Sequence, residues 1–253
     1  MRVFLFLSLF FVCDYTFASI KKDSQKCTTD LVTIDFNFSG GGNSVCKVIS
    51  SDHIKILVKP ESKDPINPSP WYAFRKSKHI KKILLELDYG EYEHRYFPKI
   101  KKINSGWERL NNNDILVKND GKNVFINFYP SKEEQYISSQ ELITEDWYED
   151  WYKILKKSKF LKSKIIGYSV QNRPIKAFFS NENINNPFIL ILGRQHPPEV
   201  SSVFALQGFI NQLIGSINLS KDFLSKYNII FVPLMNPDGV ETVSYTHLTL
   251  PTR

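Results

Sequence analysis

Phe188-Ile189-Leu190-Ile191-Leu192 runs without a break into Gly193-Arg194-Gln195-His196-Pro197-Pro198-Glu199, and an apolar-periodic stretch starts at Val200. A continuous apolar run of five residues is the pattern of a strand buried on both faces. Val200 to Ile214 repeats at helical spacing and places Val203, Leu206, Phe209, Ile210 and Leu213 mostly on one side. A second apolar run, Asn228 to Pro233, follows and ends in Leu234-Met235-Asn236-Pro237-Asp238-Gly239. Strand, helix and strand in this order imply a parallel pair in an α/β sheet. Ligands in such sheets bind outside the carboxyl ends of the strands, where both polar loops must lie. Asn236 to Gly239 is expected to form a β-turn.

His196 and Glu199 form a His-x-x-Glu pair on the first of these loops. An imidazole nitrogen and a carboxylate oxygen are suitable Zn²⁺ ligands, and the two intervening prolines stiffen the loop. Arg194 is a candidate for contact with substrate or the zinc shell, although an arginine beside a carboxylate in a loop is more often structural. Asp238 either orients a ligand histidine or serves the turn. Asn236 shares that turn.

Upstream, Trp147, Trp151, Ile154 and Leu155 recur at helical spacing from Thr144 onward. Acidic residues lead and lysines trail, an order that suits the helix dipole. Lys164 to Ser169 and Pro174 to Phe179 read as strands on either side of a turn at Gln171-Asn172. Residues 27–143 have a different texture. Thr33 to Phe38, His53 to Val58, Trp71 to Arg75, Ile83 to Asp88, Asp114 to Lys118 and Val124 to Tyr129 are short alternating runs separated by turn residues. They predict an antiparallel β-sandwich ahead of an α/β domain of residues 144–242. Asn119 to Lys122 is a hairpin turn in which Gly121 supplies positive φ. Trp71, Trp107, Trp147 and Trp151 are expected in core or inter-domain packing.

Met1-Arg2, the apolar run Val3 to Val12 and the small residue Ala18 read as a signal peptide of residues 1–18, which implies a secreted or periplasmic protein. The run is too short to span a bilayer, and no other run predicts a transmembrane helix in the mature chain. Cys13 leaves lipoprotein anchoring as a disfavoured alternative, because Val12 stands where a small residue would precede a lipidated cysteine. Export leaves Cys27 and Cys46 as a candidate disulfide. The chain has 33 Lys+Arg against 26 Asp+Glu, a net charge of +7. This charge is spread along the chain and comes with no nucleic-acid motif, so nucleic acid is excluded as a partner. Lys76 to Lys82 and Lys99 to Lys102 are expected to be solvated basic faces, with a contact for acidic peptide or cell-envelope polymer as the alternative.

Gly193 to Val200 with the later Asn-Pro-Asp-Gly resembles the signature of the zinc carboxypeptidases. Ile166 to Ser169 and Arg173 to Ile175 are similar to that family's opening strands. Pro70 to Arg75 and His94 to Tyr96 resemble pieces of the small β domain of its cytosolic-carboxypeptidase-like members. The resemblance implies a metallopeptidase that removes C-terminal residues from peptides or proteins. It also implies Zn²⁺ held by His196, Glu199 and a later histidine, with a glutamate base and a carbonyl-polarising arginine. Those last groups are expected beyond residue 242, so no catalytic residue is assigned within the chain and this piece is expected to be inactive. Residues 243–253 resemble neither the family nor a buried pattern and read as a non-native tail, which discounts His247 as third ligand. Two alternatives are a cell-wall peptide hydrolase with the same zinc chemistry and a non-catalytic secreted protein that binds peptide or glycan.

Overall fold

The computed structural model describes residues 26–42, 44–60, 70–102, 105–180, 185–215 and 218–242. The signal-peptide and tail segments, with Cys13 and His247, lie outside the described residues. The first unit comprises β1 (Lys26–Thr28), β2 (Thr33–Asp35), β3 (Val45–Val48), β4 (His53–Leu57), β5 (Ala73–Lys76), β6 (Ile83–Asp88), β7 (Lys99–Lys102), β8 (Trp107–Arg109), β9 (Ile115–Lys118), β10 (Asn123–Phe128) and β11 (Gln135–Ser138). They form a six-stranded sheet, β1-β2-β5-β11-β7-β8, and a five-stranded sheet, β3-β4-β6-β10-β9. Alternation decides which side chains meet between them. Ile34, Phe74 and Ile137 from one sheet join Ile54, Ile56, Leu85, Leu87, Val124 and Ile126 from the other in one buried cluster. A disulfide between Cys27 and Cys46 ties β1 to β3 and so joins the two sheets.

The pairing is not wholly antiparallel, as the alternation had suggested: β4 runs parallel to β6, with Ile54 opposite Leu85. The chain leaves β4 and crosses to the other sheet for β5 before returning as β6, so these two neighbours are not a hairpin. The Asn119 to Gly121 turn needs more than one left-handed residue, since Asn119 and Asp120 each have φ 51° and Gly121 has φ 89°. Asn and Asp tolerate that region because their short polar side chains bond locally.

The second unit comprises α1 (Glu145–Lys156), β12 (Lys162–Tyr168), β13 (Pro174–Phe179), β14 (Phe188–Leu192), α2 (Val200–Leu213), α3 (Asn218–Lys226), β15 (Asn228–Val232) and α4 (Pro237–Thr242). Its four-stranded sheet has the order β12-β13-β15-β14. It is mixed: β14 and β15 are parallel, whereas the other two pairs are antiparallel. The helices feed one buried cluster, in which Trp151 of α1 meets Phe231 edge-on at 5.5 Å and Val203 and Ile210 of α2 pack nearby. Trp71 belongs to this cluster and carries it toward the first unit. At the junction, Gly40 N–H donates to the Glu241 carbonyl at 3.2 Å and Ser39 Oγ to its carboxylate at 2.8 Å.

The expectation for the strand Phe188–Leu192 is corrected here. Among the described residues β14 is the sheet's edge strand, and Phe188, Leu190 and Leu192 are exposed while Ile189 and Ile191 are partly covered. The covered residues face the helices. The exposed ones face the other side of the sheet, which no described helix covers. Phe209 of α2 is likewise exposed rather than buried with Val203 and Ile210.

Candidate metal centre

The two strand-end loops are zipped together by main chain. Gly193 N–H donates to Val232 O at 2.8 Å, Met235 N–H to Gly193 O at 3.0 Å, and Asn236 N–H to Arg194 O at 3.2 Å. Only glycine fits this approach. A Cβ at residue 193 would lie 2.6 Å from the Pro233 carbonyl oxygen and 2.9 Å from Leu206 Cδ1. The next residue, Arg194, takes φ 48°, a left-handed conformation that a side chain of its size seldom adopts. It is held there by burial and by Nε donating to Pro197 O at 2.7 Å. Arg194 therefore braces the loop from beneath by holding Pro197, which lies between the two candidate ligands in sequence.

On the outer side of the same loop, His196 Nδ1 and Glu199 Oε1 stand 2.9 Å apart. Both side chains are substantially exposed, at 42% and 52%. Glu199 occupies the N-cap position of α2, which fixes its backbone at the start of a regular element. Imidazole nitrogen and carboxylate oxygen thus share one small patch of surface, the donor types that Zn²⁺ takes. Among the described residues no group of three or more His, Cys, Asp or Glu gathers to hold a metal. The pair therefore fits the chemistry of a zinc ligand set but supplies two donors toward it.

The second loop departs from the expected β-turn. Asn236-Pro237-Asp238-Gly239 opens α4: Pro237 takes its first position, and the Asn236 side-chain oxygen accepts from Gly239 N–H at 2.8 Å. Proline is pre-shaped for that position, and asparagine caps the turn's free amides. The Asn236 amide also donates to Gln195 O at 3.3 Å, so the cap reaches the metal loop. Asp238 points to the β12–β13 turn, accepting from Ser169 Oγ at 2.7 Å, Gln171 N–H at 3.0 Å and Arg173 Nη1 at 2.8 Å. These donors hold its carboxyl below the ordinary carboxylate range, against the opposing effect of burial, the largest single influence on it. Arg173 also faces Glu145 at 3.4 Å, which links this turn to α1. Sequence reasoning did not assign Ser169 and Arg173 to this network, because sites 65 and more residues away are joined only by the fold.

Comparison with known proteins matches residues 148–251 to the zinc carboxypeptidase family. Cytosolic carboxypeptidase 1 of Xenopus laevis is 34% identical over 56 residues, 22% of this chain and 5% of that protein. Cytosolic carboxypeptidase 3 of Mus musculus is 20% identical over 264 residues, covering 90% of this chain and 25% of that protein. The chain thus spans a quarter or less of these two relatives. A metallo-carboxypeptidase from Burkholderia cenocepacia superposes with TM-score 0.68 at 18% identity, covering 83% of this chain and 58% of that one. One from Pseudomonas aeruginosa, in complex with (2-guanidinoethylmercapto)succinic acid, superposes with TM-score 0.67 at 17% identity, covering 83% and 56%. Sequence profile, curated relatives and fold agree, and the family that this chain resembles is that of the zinc carboxypeptidases.

Proposed function

We propose that the chain is part of a zinc-dependent carboxypeptidase that hydrolyses C-terminal residues of peptides or proteins, with His196 and Glu199 as two of the metal ligands. The observation that carries this reading is the His196–Glu199 pair, 2.9 Å apart at the carboxyl end of β14. It stands on a loop made rigid by Gly193, Arg194 and two prolines. When bound there, Zn²⁺ supplies a Lewis acid for hydrolysis. The chain's own residues do the positioning. Arg194 holds the Pro197 carbonyl, Asn236 holds the Gln195 carbonyl, and the helix start fixes Glu199. With two donors among the described residues, this chain alone should bind zinc weakly and lack peptidase activity.

The two sheets around one cluster are read as a β-sandwich domain preceding the catalytic unit. The structural alignments support this by covering more of the chain than residues after Thr144 could supply. Export through a signal peptide of residues 1–18 is part of the proposal and is supported by the Cys27–Cys46 disulfide, which needs an oxidising compartment. Relatives named as cytosolic stand on the other side of that question.

Zinc titration against a chromophoric chelator tests the site. One weak equivalent, lost at least tenfold in His196→Ala and in Glu199→Ala while the far-ultraviolet circular dichroism stays unchanged, is the expected outcome. Stoichiometric binding that ignores both substitutions would refute the assignment.

A further inference from the structure

Lys76 was expected on a solvated basic face, yet its side chain is fully buried, with 0% exposure. It lies on β5 one alternation beyond Phe74 and so points into the space between the two sheets. Its strand neighbours in register are Ile34 on β2 and Gln135 on β11. From the opposite sheet, the Phe128 ring lies beneath the ammonium, 5.3 Å from Nζ to centroid. Among the described residues no hydrogen-bond acceptor reaches Nζ. Three residues on, His79 is 3% exposed, and its Nδ1 donates to Lys81 O at 2.7 Å. Its other nitrogen, Nε2, is also buried without a partner. The main chain of His79 pairs with that of Ser131, at the end of the same crevice.

Buried ammonium groups are ordinarily paired, because an uncompensated charge in an apolar surrounding is costly. Two orphaned nitrogens three residues apart in the chain are therefore informative. They are electrostatically coupled, since burial lowers the affinity of both for protons and the Lys76 charge lowers that of His79 further. A groove of about 330 Å³ opens on the solvent side, lined by Phe128, Gln135 and Ser131 and by charged residues of both signs, Lys102 and Lys132 with Asp114 and Glu133. Phe128 and Gln135 thus flank Lys76 on one side and line the groove on the other.

We propose that this end of the two-sheet unit is a binding site for a small carboxylate. The ligand enters from the groove, and its oxygens accept from the Lys76 ammonium and from His79 Nε2–H once that ring is protonated. A planar monoanion with two oxygens matches two donors and neutralises the lysine. Binding draws a proton onto His79, so it is accompanied by proton uptake. The site is separate from His196 and Glu199 and stands whether or not zinc binds there.

The test titrates the full chain at pH 7 with sodium acetate and, at matched ionic strength, with sodium chloride. Melting temperature is followed, together with heats of binding in two buffers of different ionisation enthalpy. Acetate should raise the melting temperature saturably and take up protons, while chloride should not. Lys76→Met keeps the apolar stem without the charge and should weaken acetate binding at least tenfold. Lys76→Gln gives the same reading should the methionine variant fail to fold. An equal response to chloride, no saturable response to acetate, or an undiminished response in both variants would overturn the proposal.

Discussion

Replacing Gly193 with alanine tests the geometry on which the metal loop depends. The added Cβ would stand 2.6 Å from the Pro233 carbonyl oxygen and 2.9 Å from Leu206 Cδ1. Ordinary carbon contacts begin near 3.4 Å, so the two strand ends must part by about 0.8 Å. They are held at their present separation by hydrogen bonds on both sides of the glycine, at 2.8 and 3.0 Å. Forcing a methyl group into packed structure costs about 1–3 kcal/mol. Weakening one flanking hydrogen bond adds about 1 kcal/mol. The expected loss is therefore about 2–4 kcal/mol, read as a lower midpoint in urea at unchanged slope. Gly208, on the exposed side of α2, has nothing within 4 Å of its added Cβ. Gly208→Ala should instead stabilise by about 1 kcal/mol, through helix propensity alone. Zinc affinity should fall in the first variant and hold in the second. A Gly193→Ala protein within about 0.5 kcal/mol of the parent would refute the claim that close strand approach shapes the site.

Two further expectations concern charge and one concerns the disulfide. Burial lowers the Lys76 pKa to about 8 from 10.5, so between those values the unfolded chain holds a proton that the folded chain lacks. Stability should rise with pH across that window by about 3 kcal/mol, and Lys76→Met should flatten the rise in urea midpoints measured from pH 8 to 10.5. Asp238 has a depressed pKa, so its stabilisation is present above the ordinary aspartate value and is lost as pH falls through the folded one. Asp238→Ala should cost about 2–3 kcal/mol and remove that acid-side loss, and an unchanged acid limb would contradict the network. Reducing Cys27–Cys46, 19 positions apart, should lower stability by about 3 kcal/mol in the chain-entropy account, and identical midpoints with and without reductant would count against it.

The legible parts of this sequence were those set by short-range chemistry. Ile83–Asp88, Pro174–Phe179 and Phe188–Leu192 are strands at the expected bounds, because alternation or an apolar run between turn residues is a local property. The charge order of α1 follows in the same way, and the meeting of the two strand-end loops follows from the strand-helix-strand order. Other features depended on which segments become neighbours. An apolar run reads alike whether its strand lies inside a sheet or at its edge, and β14 lies at the edge. The parallel β4–β6 pair arises from an excursion of the chain into the other sheet, which no turn residue announces. The helix at Asn236 was concealed because Asn-Pro-Asp-Gly suits a β-turn and a capped first helical turn equally well. The continuing main chain of Val240 decides between them, donating to Asn236 O at 3.2 Å.

Lys76 is the sharpest case, and it bears on function. In the run Lys76 to Lys82 the charged residues look interchangeable. The end of β5 separates them: Lys76, its last residue, turns inward over the Phe128 ring, while Lys78, Lys81 and Lys82 lie beyond the strand and remain exposed. A solvated lysine could be replaced by almost any polar residue at little cost, whereas this one lowers stability near neutral pH unless an anion meets it. A methionine there would fill the space without the penalty. The two candidate sites therefore ask different things of the fold: the loop at His196 depends on backbone closeness, and the crevice at Lys76 on a charge kept out of water. Gly193→Ala should impair the first and leave acetate binding intact, and Lys76→Met should do the reverse. If either substitution abolished both, the two units would have to be treated as one cooperative structure.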